Sequence, residues 1–160
     1  VIAESFKIFT RVQRRFEILK QSDDLIIVDD YGHHPVEIEA TLSTAKEVWP
    51  DRRLIVVFQP HRYSRTKHLM ESFFSSFNDA DVLLLLDIYS AGEKPEENVH
   101  SQKIAEGVKE FGHKNVEYIG ETESVIPHLQ NILKPGDIVL TLGAGNIGEL
   151  SHKLANRLND

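Results

Sequence analysis

The sequence predicts an α/β fold of three layers, α/β/α, built on a six-stranded and mostly parallel sheet, and three observations carry that prediction. Short apolar runs alternate with amphipathic stretches from residue 16 onward, the pattern of strands joined by crossover helices. At 160 residues, 41% hydrophobic and 27% charged, the chain can bury one substantial core but is too short to be assumed to hold two. Every chemically dense segment follows the end of an apolar run, on the sheet edge where open parallel sheets collect their ligands.

Taken in order, the stretch 1–15 is helix-like and irregular, anchored by Phe6, Phe9 and Val12. It reads as part of a longer chain. Strands are expected at 16–19, 25–29, 54–58, 82–87, 116–119 and 138–142, each a run of β-branched and apolar residues. The first two are separated by five polar residues, too few for a parallel crossover, so they should form an antiparallel hairpin. After the second strand, Pro35 suits the first turn of a helix; Ile38, Leu42, Ala45 and Val48 with Trp49 then recur on one face until Pro50 stops it. Further helices are expected over 65–77, 101–111, 123–133 and 147–158, with Ser101 and Thr122 as N-caps by residue type and position. The segment 91–100 is the longest expected loop and a candidate for motion.

Composition excludes several function classes. The net charge of −7 argues against a general nucleic-acid surface, which needs a basic stripe. The chain has no cysteine, which removes disulfides, thiolate nucleophiles and cysteine-based zinc sites. No apolar run approaches the ~20 residues that span a bilayer, and no signal peptide is visible. The expectation is a soluble cytoplasmic protein.

The polar clusters sit at four strand ends. Asp29-Asp30-Tyr31-Gly32-His33-His34-Pro35 packs two carboxylates, a phenol and two imidazoles into the entry of a helix. Either aspartate could simply cap the turn; alternatively, one faces a bound group while period-two alternation turns its neighbour away. No metal site is expected, because adjacent histidines seldom ligate one ion together. After the third strand, Gln59 to Arg65 carries His61, Arg62 and Arg65. Cations at a helix start oppose the macrodipole, so Arg62 and Arg65 call for an anion, which planar guanidinium forks can grip in bidentate fashion. His61 reads as a packing or hydrogen-bonding residue. Tyr89 and Glu93 fall in the loop after the fourth strand, as candidates to line the cleft or to lie on the surface. Gly143-Ala144-Gly145-Asn146-Ile147-Gly148 formally matches a dinucleotide phosphate loop. It comes on the last strand, however, with no later strand to present a ribose-binding acid. A close backbone turn is the better reading, although an exposed helix N-terminus there could still meet an anion.

Five segments together resemble the C-terminal domain of the Mur ligases of bacterial cell-wall synthesis. They are Arg14-Arg15-Phe16-Glu17, Asp29 to Pro35, Val57 to Thr66, Asp87 to Glu93 with Asp87-Ile88-Tyr89-Ser90, and Leu142-Gly143-Ala144-Gly145. They follow the family's order across nearly the whole chain, and the match over 59–66 is the most specific. The resemblance implies a Rossmann-like domain over 14–160, with 1–13 as the end of a central domain and the hinge. It implies an ATP-dependent ligase that activates the lactyl carboxylate of UDP-N-acetylmuramate as an acyl phosphate, which the amino group of L-alanine then attacks. By the same resemblance Arg15 reaches the ATP phosphates and Asp30 the nucleotide ribose. Tyr31, His33, Arg62 and Arg65 line the amino-acid pocket, and Arg15 and His33 are the residues assigned to catalysis. Arg11, Ser90 and Asn146 depart from the residues usual in the family, which are glycine, proline and aspartate at those places.

No G-x-x-G-K-[ST] phosphate loop occurs in this sequence. The resemblance therefore implies that the loop and the Mg2+ ligands lie in the central domain, the UDP-sugar site in an N-terminal one, and that this domain alone is inactive. Two other readings remain: a sister ligase that recycles murein tripeptide onto UDP-N-acetylmuramate, and a stand-alone dinucleotide-binding module using 143–148.

Overall fold

The computed structural model describes residues 14–158, so the expected hinge over 1–13 lies outside the described residues. Six strands form one sheet: β1 Glu17–Gln21, β2 Leu25–Asp30, β3 Leu54–Phe58, β4 Val82–Leu86, β5 Val116–Gly120 and β6 Asp137–Leu142. Five α-helices connect them: α1 Pro35–Val48, α2 Tyr63–Phe73, α3 Ser101–Glu110, α4 Val125–Ile132 and α5 Ile147–Arg157, with a 3₁₀ turn at Thr122–Ser124 ahead of α4. The strand order is β1-β2-β6-β3-β4-β5. β1 pairs antiparallel with β2, as the short connection requires, and every other pairing is parallel.

The layers follow from burial. β2, β3, β4 and β6 are buried along their whole length, as expected of strands covered on both faces. On one face Ile26, Val28, Val56, Phe58, Leu83, Leu85 and Leu140 pack with Ile38, Leu42 and Ala45 of α1, Phe73 of α2 and Ile104 and Val108 of α3. On the other, Ile27, Ile55, Val57, Leu84 and Val139 pack with Val125 and Leu129 of α4 and Ile147, Leu150 and Leu154 of α5. Alternate residues of each strand thus feed opposite cores.

β6, the last strand, inserts between β2 and β3. The two chain halves therefore meet at the carboxyl ends of β3 and β6, the reversal of strand order where open α/β sheets form their crevice.

Several local expectations are corrected. β1 starts one residue later and ends two residues later than expected; its register shifts between Ile18 and Lys20, a bulge that lets pairing continue to Gln21. β4 stops at Leu86, leaving Asp87 outside. α2 begins at Tyr63 rather than 65 and ends at Phe73, with turns carrying the chain on to Phe77. Ser101 is not a cap: His100 holds that place, and the buried Ser101 hydroxyl has no hydrogen-bond partner among the described residues. Thr122 starts the 3₁₀ turn behind Glu121, without a side-chain cap. α1 does carry a full capping box, through His34 and Glu37.

Leu42 is fully buried beneath α1. Leu42→Ala should lower unfolding free energy by about 2–5 kcal/mol, the range for leucine truncation in a packed core. Chemical denaturation with an unchanged slope would measure it.

Candidate functional site

Four loops leave the carboxyl ends of β2, β3, β4 and β6, and main-chain hydrogen bonds stitch them together. The Gly143 N–H donates to Asp30 O at 3.2 Å and the Gln59 N–H to Leu142 O at 3.0 Å. Beyond β3 and β4 the parallel pairing resumes as a single bridge, His61 opposite Tyr89, with Tyr89 N–H donating to Pro60 O and Arg62 N–H to Tyr89 O, both at 2.8 Å. These side chains therefore project from extensions of the sheet, whose backbone partners limit their freedom.

Asp29 and Asp30 turn to opposite faces. Asp29, fully buried, takes the Arg14 guanidinium at 2.7 Å, and the hydroxyls of Thr141 and Ser151 each lie 2.8 Å from its Oδ1. The same guanidinium donates to Gly143 O at 2.8 Å and Gly145 O at 3.3 Å. Asp30 accepts from the Phe16 and Gly32 amides, both at 2.7 Å, and from the Thr41 hydroxyl at 3.3 Å. It caps the turn and also borders a cavity of about 210 Å³ with Arg15, Tyr31, Gly32, Glu37, Ala40 and Thr41.

Beside that cavity runs a ladder of rings. Tyr31 meets His33 edge-on at 5.4 Å, His33 meets His61 at 5.8 Å, and His61 stacks on Tyr89 at 5.6 Å. Arg65 closes the ladder: its Nη1 lies 3.1 Å from His61 Nδ1, and a guanidinium has only protons to offer, so that nitrogen must be the acceptor. Burial first, and then the charges of Arg65, His33 and Arg62, push the His61 pKa below its ordinary 6.5. Its neutral state agrees with the hydrogen-bonding reading. Tyr31 belongs to both the cavity and the ladder and joins the two.

Arg62 is the N-cap residue of α2, with φ 69° and no side-chain cap bond, a left-handed conformation that costs a non-glycine residue energy and is often found at functional sites. The anion that a helix start favours is supplied from across the cleft. The Glu93 carboxylate accepts from the Ser64 N–H at 3.0 Å and from the Ser64 hydroxyl at 2.6 Å. Those bonds, then a Tyr63 amide and the Arg62 charge, hold its pKa below the usual carboxylate value.

The glycine segment makes the close turn. A Cβ on Gly145 would stand 2.6 Å from Gln59 Oε1 and from the Tyr89 ring, and one on Gly148 would stand 2.6 Å from Arg14 Nε. At the α5 start the Ile147 N–H is already taken, donating to Gln59 Oε1 at 3.2 Å, and Ile147 is buried, in keeping with the reading of a close turn. Two larger hollows are present, one of about 440 Å³ between α4 and α5 and one of about 450 Å³ along the ends of β4 and β5, which shares Gln59 and Tyr89 with the cleft. Neither is lined by His33, His61, Arg62 or Arg65, so the chemistry of the lining marks the site better than volume does. Sequence reasoning quoted Arg14 and Gln59 only within longer motifs and missed their work as braces, because the glycine turn that both of them fasten lies more than 80 residues away.

The family model for the Mur ligase, glutamate ligase domain, matches residues 14–145. The chain belongs to the Mur ligase family. Among curated proteins, this Mur ligase domain is 54% identical over 157 residues to a UDP-N-acetylmuramate–L-alanine ligase from Geotalea uraniireducens, covering 98% of this chain and 34% of that protein. Among solved structures, it matches a UDP-N-acetylmuramate-alanine ligase from Thermotoga maritima with a TM-score of 0.72 and 27% identity, over 96% of this chain and 32% of that one. A murein peptide ligase from Psychrobacter arcticus shares the fold, with a TM-score of 0.75 at 20% identity, over 98% of this chain and 33% of that one. The chain thus spans about a third of the length of the relatives it matches.

His61 generates a pH prediction. Its folded pKa lies below its ordinary value, so above pH 6.5 it leaves stability unchanged. As pH falls below 6.5 the unfolded chain takes up the proton first, and stability declines until the folded pKa is passed. His61→Gln should flatten that part of the profile, read from denaturation midpoints between pH 7.5 and 5 in both proteins.

Proposed function

We propose that this chain is the C-terminal domain of an ATP-dependent ligase that joins L-alanine to the lactyl carboxylate of UDP-N-acetylmuramate in peptidoglycan precursor synthesis, in the cytoplasm. The observation that carries the reading is the union, through Tyr31, of the Arg15–Asp30 cavity with a ring ladder ending in Arg65, in a domain 54% identical to an alanine-adding relative.

On this reading the two halves of the cleft serve the two halves of the reaction. ATP phosphorylates the muramate carboxylate; the amine of L-alanine attacks the acyl phosphate; the tetrahedral intermediate collapses to the amide and releases phosphate. Arg15 is exposed at the rim of the cavity, from which its guanidinium serves the nucleotide phosphates, and Asp30 serves the ribose. Asp30 is already held by two amides and a hydroxyl, so it is preorganised at little further entropic cost. Arg62 and Arg65 hold the alanine carboxylate, and Tyr31 and His33 border its amine end, with His33 the catalytic member alongside Arg15. Holding two charged reactants in line is worth several kcal/mol of barrier, at the scale of about 7–11 kcal/mol for ideal orientation.

Mg2+ belongs to the phosphate chemistry of this reading. Among the described residues no group of three His, Asp or Glu side chains could hold a metal ion, and its ligands are assigned to the central domain, which also bears the phosphate loop. The UDP-sugar is assigned to the N-terminal domain. This domain alone is therefore inactive, and closing over ATP would complete the site as a hinged lid does.

The experiment is phosphate release by the full-length parent with ATP, magnesium and UDP-N-acetylmuramate, supplying either L-alanine or the murein tripeptide as nucleophile. Turnover with L-alanine is expected. Turnover with the tripeptide alone would transfer the domain to the recycling ligase, and turnover with neither would defeat both assignments.

Two substitutions separate the half-sites. Arg65→Ala in the parent should raise the L-alanine KM by about 10-fold or more, the scale of one lost charge-assisted contact, while the ATP KM stays nearly unchanged. Asp30→Asn should do the reverse. Swapped effects would mean that the two turns serve the opposite ligands.

A further inference from the structure

Glu93 is a charged group, held against the start of α2 beside Arg62, that the proposed reaction leaves unused. It lies in the loop between β4 and α3, yet its carboxylate is fastened to the first turn of α2 by the amide and hydroxyl of Ser64. The chain is turned back toward α2 by two successive left-handed residues, Ala91 at φ 49° and Gly92 at φ 86°, and the Glu93 N–H donates to Ser90 O at 3.1 Å. A second strap, Glu96 to Lys67 at 2.8 Å, fixes the same loop to the same helix. The carboxylate therefore has a defined position, and Ser64 and Arg62 favour its charged form further.

Its surroundings can be counted as charges. Arg62 and Arg65 bring two cations to the His61 end of the ladder, and the Glu93 charge acts on His61 in the opposite sense. The other nearby carboxylate, Glu37, accepts from the His33 and His34 amides at the start of α1, both at 3.0 Å. Arg62, Arg65 and Glu93, two guanidiniums and one carboxylate, sum to a single positive charge. That charge matches an amino acid with one carboxylate. A second carboxylate, on the substrate side chain, would meet Glu93 in place of a cation and would find the Ser64 donors already occupied.

We infer that Glu93 is a specificity-determining residue, which restricts the amino-acid pocket to substrates bearing a single carboxylate. This rests on the reading of Arg62 and Arg65 as holders of the amino-acid carboxylate. It assigns the exclusion of acidic amino acids to charge as well as to size.

The test uses L-aspartate and its near-isostere L-asparagine as inhibitors against L-alanine, in phosphate release by the full-length parent and its Glu93→Gln and Glu93→Asp variants. Glutamine retains an acceptor for Ser64 and removes only the charge; aspartate retains the charge. The inhibition constant of L-aspartate relative to L-asparagine should fall up to about fivefold in Glu93→Gln, the scale of one like charge removed at a solvent-exposed site, and should stay within about twofold in Glu93→Asp. Both inhibitors report on the same enzyme, so a general loss of folded protein cancels from the ratio. An unchanged ratio, or L-aspartate that inhibits none of the three enzymes, overturns the inference. Failure of the underlying reading has a different signature, an Arg65→Ala parent whose L-alanine requirement has not moved.

Discussion

The arrangement of the cleft depends on one ion pair, Arg14 with Asp29. Asp29 is fully buried at the end of β2, and a buried carboxylate without a cation or donors would cost several kcal/mol. Arg14 supplies the charge, while Thr141 on β6 and Ser151 on α5 supply hydroxyls. The guanidinium has donors to spare, and they go to the carbonyls of Gly143 and Gly145. One side chain thus ties the entry of the domain, the end of β2 and the glycine turn after β6 into a single block. The backbone is fastened in the same place, with Arg14 O accepting from the Tyr31 N–H at 2.6 Å and the Phe16 N–H donating to Asp30 at 2.7 Å.

That block sets the position of both half-sites. Arg15 follows Arg14 directly, so the proposed phosphate contact is placed by its neighbour's ion pair. Tyr31 is pinned through its amide, and its ring, with the Arg14 guanidinium 5.6 Å from the centroid, begins the ladder that runs to His61 and Tyr89. On the far side Gln59 does similar work across the β3–β6 crevice, bonding Asn146 at 2.9 Å and the first amide of α5. Asn146 fills this acceptor role through its Oδ1. The cleft is therefore preorganised by groups that need not touch a ligand at all.

Legibility differed by distance along the chain. The strands and helices could be read because each depends on a local period, and the antiparallel pairing of β1 with β2 because five connecting residues permit nothing else. The polar turns could be read as a group because each follows a strand. Caps were less legible: Ser101 has the right chemistry for an N-cap, but the helix starts one residue earlier than that role requires, and α2 is capped by Glu93 from another loop. The demand of Arg62 and Arg65 for an anion was visible in the sequence, whereas the identity of one resident anion was not. Nor could period-two alternation say which of Asp29 and Asp30 would take the inner ion pair.

The amino-acid sequence by itself determined the α/β class, the six strands, the edge on which chemistry gathers and, through five ordered motifs, the Mur ligase family, because these rest on periodicity and on residue types adjacent in the chain. Only the tertiary structure decided how those residues divide the labour. Arg14 reaches carbonyls some 130 residues away, Glu93 caps a helix that begins 30 residues before it, and Gln59 closes a crevice with the last turn of the domain. The first and third of these pairings follow from the insertion of β6 between β2 and β3, and the second from the pairing of β3 with β4, long-range events that no local pattern encodes.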